Sequence, residues 1–148
     1  MFTSRKFIKM CAKARELQEQ WKPKGYDWIA CIKKWENGPR WFKSMNIYET
    51  ALLSPYETDS CFYGPSVDCI KGRMEEFKKH FVWLPTLEQL FSMAGSDLYI
   101  DILPDKVHID IRHFSTEQET LAQTLLSVVM WRKYGKIWDD EKGEWIKI

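Results

Sequence analysis

The side chains best suited to chemistry sit in one run, LYIDILPDKVHIDIR. In Leu98–Arg112 the polar positions Tyr99, Asp101, His108, Asp110 and Arg112 alternate with apolar ones, and His113 comes directly after. An imidazole oriented by a carboxylate is a general base, and His108 with Asp101 and Asp110 is a metal-ligating set. The same alternation also describes a solvated strand face with cross-strand charge pairs and no chemistry. No HExxH, nucleophile motif or glycine-rich phosphate loop accompanies these residues, and the seven glycines are scattered singly. The solvated face is therefore the reading taken, and no catalytic residue, metal or cofactor is expected. His80, in FKKHF, reads as a helix-end residue satisfying carbonyls.

A second group is basic. Residues 1–43 hold eleven Lys and Arg against four Asp and Glu, whereas 44–148 hold eleven against seventeen, a polarity hidden in the net charge of +1. The two halves neutralising each other is the plainer account of this split. The functional one is a surface for an acidic partner, built from Lys6, Lys9, Lys13, Lys33, Lys34, Arg40 and Lys43. Trp35 and Trp41 lie among these residues in WENGPRW, with Phe42 next, as anchors for a protein interface or platforms for unpaired bases. No helix-turn-helix, zinc-finger or RNA-binding signature accompanies them.

Periodicity gives the elements that carry these groups. Residues 4–20 read as one amphipathic helix, capped by Ser4 or Thr3 and stopped by Pro23 and Gly25. Residues 28–33 read as a mostly buried strand, and Asn37-Gly38 as a hairpin turn whose return strand Pro39 confines to an edge. Residues 44–72 read as an irregular insert, and Met74–Phe81 as a short helix. Thr86 and Gln89 form a capping box that opens a helix closed by Gly95. Leu98–Ile102 and Val107–Ile111 form a hairpin around Pro104-Asp105, with Ile102 opposite Val107 and Asp101 opposite His108. Thr116 with Glu119 then reads as the cap of a long helix ending at Gly135, with a hairpin after it turning over Asp140–Gly143. That last hairpin, WDDEKGEW, echoes WENGPRW and sets Trp138 across from Trp145 as a packing pair. The whole is a single α+β domain: an antiparallel sheet of hairpins packed against two or three amphipathic helices.

The four cysteines, Cys11, Cys31, Cys61 and Cys69, contain no CxxC and read as reduced thiols rather than a zinc site. No apolar run reaches the roughly 18 residues of a membrane span. MFTSRKFIKMCAKAR lacks the apolar core of a signal peptide. A cytoplasmic protein is expected.

AKARELQEQWKPKGYDW, VWLPTLEQL and ETLAQTLLSVVMWRKYGKIWDDEKGEWI together resemble small uncharacterised phage and prophage proteins of gut Firmicutes. More distantly, the chain is similar to the phage ABA sandwich domain. The resemblance spans residues 12–28 and 82–146 and implies a sheet with helices on both sides, in the cytoplasm of a bacterial host. It brings no catalytic signature. Together with the absence of catalytic motifs, the charge split and the surplus of aromatic anchors, this setting points to a non-enzymatic binding protein acting on a host protein or ribonucleoprotein, with inhibition of host defence of the anti-CRISPR type as the most attractive role. A nucleic-acid-binding accessory protein is the alternative, and a small hydrolase or nucleotide sponge using the His108 face a third.

Overall fold

Ser4 accepts a hydrogen bond from the Phe7 amide and starts α1, Arg5–Lys13, which buries Phe7, Ile8, Met10 and Cys11. Ala14 (φ −79°, ψ 70°) ends it, and α2, Arg15–Gln20, comes next, so the expected single helix is two. The break lets Gln18 act as a piece of sheet. Its amide donates to Cys11 O (3.2 Å) and Trp83 O (2.9 Å), and its Oε1 accepts from Trp83 N (2.8 Å). A side-chain amide thus completes the backbone pairing of Trp83.

The computed structural model describes residues 3–55 and 64–148. It is an α+β protein of helices and antiparallel sheets, as the periodicity implies. The chain divides into two compact units, Met1–Leu84 and Pro85–Ile148.

In the first unit β1, Trp28–Cys31, lies between β2, Thr50–Leu52, and β3, Phe81–Leu84, both antiparallel to it. WENGPRW is therefore not a hairpin. Gly38 N donates to Trp35 O (3.1 Å), and Arg40–Lys43 form a one-turn helix, α3. The reason is packing: a Cβ at position 38 would lie 2.6 Å from Trp35 Cδ2, so the glycine makes room for an indole. The helix α4, Met74–His80, appears where expected but stops one residue short, and Phe81 opens β3. Lys78 ends α2 by donating to Gln18 O (3.0 Å) and to Trp21 O. Residues 44–72 contain β2 and a 3-10 turn, Val67–Ile70, and bury Met45, Leu53 and Ile70 in the core; residues 56–63 lie outside the described part.

That core is aromatic. Phe77 and Phe81 stack at 5.2 Å, and Phe42 meets both edge-on. Trp21 stacks on Trp83 at 6.3 Å and donates its indole N–H to the buried Asp27 carboxylate (3.0 Å). Burial raises the pKa of both Cys11 and Cys31, which are free thiols. Cys69 departs from the expectation of reduced cysteines: it is disulfide-bonded.

In the second unit Thr86 and Gln89 form the capping box of α5, Leu87–Ala94. Next come β4, Tyr99–Ile102, β5, Val107–Ile111, and β6, Phe114–Gln118, in the order β4-β5-β6. The hairpin register is the expected one, with Ile102 opposite Val107 and Asp101 opposite His108. The strand β6 corrects the expectation that Thr116 caps a helix: Thr116 pairs with Ile109. Two overlapping signatures compete here, TEQE and TLAQ, and the second wins. Thr120 Oγ1 accepts from Gln123 N (3.2 Å) and starts α6, Leu121–Tyr134. His113, at φ 68°, makes the two-residue turn into β6 in place of the usual glycine. α6 is buried continuously from Gln123 to Met130, and Thr124 Oγ1 donates to Val107 O (3.0 Å). After Gly135 (φ 64°), β7, Lys136–Asp139, pairs with β8, Glu144–Lys147. Trp138 faces Trp145 edge-on at 5.1 Å, the expected packing pair.

Candidate functional site

The histidine face forms, but with a different partner set. His108 Nε2 lies 3.0 Å from Asp110 Oδ1 and its Nδ1 2.9 Å from Glu117 Oε1, so the protonated ring donates to both carboxylates. Lys106 Nζ lies 3.2 Å from Glu117 Oε2, extending a row of alternating charge across the exposed face of the sheet. The hydrogen bond to Asp110, then that to Glu117, raises the His108 pKa above its ordinary value. Lys106 and His108 hold Glu117 below its own. When both nitrogens donate, the ring is an imidazolium with no lone pair to act as a base. Asp101 lies opposite His108 in register, while Tyr99, Arg112 and His113 are exposed around it. Among the described residues no group of three or more His, Cys, Asp or Glu is placed to hold a metal ion. Glu117 escapes the sequence reading because the strand carrying it reads as helix. A signal for it is present in FSTEQ, a second alternation after HIDIR.

The basic residues sort differently. On α1, Arg5, Lys9 and Lys13 are spaced at successive four-residue steps along one row; Arg5 and Lys9 are exposed, whereas Lys6 is half-buried. The Arg5 guanidinium lies 5.1 Å from the Tyr48 ring centroid, which ties the start of α1 to the segment after α3. Lys34 Nζ donates to Met45 O (3.2 Å) in that segment. Lys43 is exposed, and Arg40 lies beside Trp41 at the start of α3. Arg73 joins them: it donates to Asn37 O (2.6 Å) and covers the Trp35 ring at 4.8 Å. Arg73 is absent from the expected set, since only tertiary packing brings it against WENGPRW, whereas Arg5 shares the α1 row with Lys9 and Lys13.

The tryptophans of WENGPRW part company. Trp35 is 3% exposed, held between Arg73 and the His80 ring, which stacks on it at 5.5 Å. His80 Nδ1 donates to Lys33 O (3.1 Å), the carbonyl-satisfying role expected of it. Trp35 is therefore a core residue, and Trp41, 38% exposed on α3, is the aromatic presented to solvent.

The first unit of this α+β protein presents Trp41 to solvent on α3, beside the exposed Arg40 and Lys43. Comparison with family models, with curated proteins and with solved structures finds no match. No helix among the described residues is long and apolar enough to cross a membrane.

Proposed function

We propose that this chain is a non-enzymatic, phage- or prophage-encoded binding protein whose basic face docks on an acidic surface of a host macromolecule. Covering a nucleic-acid site on a host-defence effector, the anti-CRISPR type of inhibition, is the role that best suits such a face. The observation that carries the reading is the surface around α3. There Trp41 is exposed between Arg40 and Lys43, with Arg5, Lys34 and Arg73 packed around the same segments. Cations beside an accessible indole supply steering and an anchor together. The resemblance to phage proteins supports the setting, and the double engagement of His108 supports binding over catalysis.

The test is capture of a partner from bacterial host lysate by the tagged full chain, with an Arg40→Ala, Trp41→Ala variant as control. A ribonucleoprotein or protein retained by the wild type and lost from the variant is the expected result. Fluorescence anisotropy with single-stranded RNA and DNA separates the second reading. Salt-sensitive binding to naked nucleic acid, lost in the same variant, would make the protein a nucleic-acid binder instead. Equal capture by both proteins would remove this face from the function.

A further inference from the structure

The strand β4 is an edge of the β4-β5-β6 sheet, and all four of its residues are exposed. Side chains on paired residues share a face, so Ile100 and Ile102 lie on the side where Ile109 and Val107 are buried under α6. That covering ends before β4. Ile100 is 37% exposed and Ile102 72%, an apolar strip continuous with the core face of the sheet.

Among the described residues the backbone of the strip is also open. Leu103 N donates to Lys106 O (2.9 Å), which sets the phase of the antiparallel ladder. Tyr99, Asp101 and Leu103 therefore direct their amides and carbonyls to β5, and Ile100 and Ile102 direct theirs outward. Natural edges are guarded by lysine, proline or a bulge. YIDI is short and carries one charge, Asp101, but it has no lysine, proline or bulge and pairs with β5 without a register break.

We propose that β4 pairs antiparallel with β4 of a second copy, about a two-fold axis through Ile100. A two-fold perpendicular to the sheet keeps the helix side of both copies on one face, so only like-facing residues can meet. Four registers satisfy that condition within the strand, and centring on Tyr99 sets Asp97 opposite Asp101, two like charges. Centring on Asp101 sets two carboxylates directly opposite, which is destabilising. Centring on Ile102 leaves Asp101 against an apolar Leu103. Centring on Ile100 places Tyr99 opposite Asp101 twice, so that each phenol donates to a carboxylate. On the core side it sets Leu98 against Ile102 twice and Ile100 against itself. This register alone matches polarity on both faces, and it satisfies the outward amides of Ile100.

Sedimentation velocity of the full chain over a concentration series tests it. The wild type is expected to dimerise. Ile102→Lys should raise the dimer dissociation constant at least about tenfold, roughly 1.4 kcal/mol, with unchanged circular dichroism. Register is read by oxidative cross-linking, with the bridge mapped by mass spectrometry. Ile100→Cys should form a covalent dimer through position 100, and Ile102→Cys should not, because it faces Leu98. A wild type that stays monomeric overturns the proposal, as does an Ile102→Lys protein that dimerises undiminished. Cross-linking at 102 instead of 100, or at neither, overturns the register.

Discussion

Single side chains decide both the ion-pair row and the basic face. The folded pKa of His108 is raised, so its stabilisation is complete below the unfolded value and is lost as pH rises through the folded one. Glu117 is depressed, so its share is present above the unfolded carboxylate value and is lost as pH falls through the folded one. The row therefore contributes most between those two titrations. In an NMR titration of the imidazole, Asp110→Asn should move the His108 midpoint down toward the ordinary histidine value. An unmoved midpoint would mean that the contact does not form in solution. Gly38 makes a second test. Gly38→Ala pushes a methyl into the Trp35 ring and should cost about 1–3 kcal/mol in urea denaturation, as overpacking does. No change would mean that the ring has room to move.

At the scale of elements, local signals succeed where one signal stands alone. The Thr86–Gln89 box and the hairpin registers at Ile102–Val107 and Trp138–Trp145 are legible because turn chemistry and alternation agree. They fail where two signals overlap. TEQETLAQ contains both a Thr116 and a Thr120 cap, and only the pairing of Phe114–Gln118 against β5 decides between them. Thr120→Ala should therefore cost about 1 kcal/mol by thermal or denaturant unfolding, the usual loss for an N-cap. Thr116→Ala should cost no capping energy. The reverse order would restore the longer helix. Asn37-Gly38 misleads for a related reason: the dipeptide signals tight turning in general, and the structure of the next residues depends on the partner available. Here β1 already has β2 and β3 as neighbours, so no return strand is needed.

For the molecule as a whole, the charge polarity tracks the two units. Residues 1–84 carry fifteen Lys and Arg against ten Asp and Glu, and residues 85–148 carry seven against eleven. If the proposed docking face is the basic one, partner capture should weaken steeply with salt. Replacing Lys9, Lys33, Arg40 and Lys43 with Glu should reduce capture by at least about tenfold, a difference of about 1.4 kcal/mol. Reversing Lys136, Lys142 and Lys147 on the second unit should leave it within about twofold, a change under about 0.5 kcal/mol. Equal losses in both sets would indicate a net-charge effect in place of a site.

The sequence by itself determined the α+β class, the capped entry to α5, the polar and apolar faces of the central hairpin and the Trp138–Trp145 pair. These depend on neighbours within a few residues, where propensity, turn chemistry and side-chain alternation act directly. Tertiary structure decided which strand lies beside which, that Trp35 is core while Trp41 faces solvent, and that Glu117 rather than Asp101 holds His108. It also brought Arg73 against Trp35 and Asn37. Those outcomes turn on which buried surface a residue finds far along the chain. Asn37-Gly38 carries the same local signal whether or not an indole must fit against it, and only the packed core settles which.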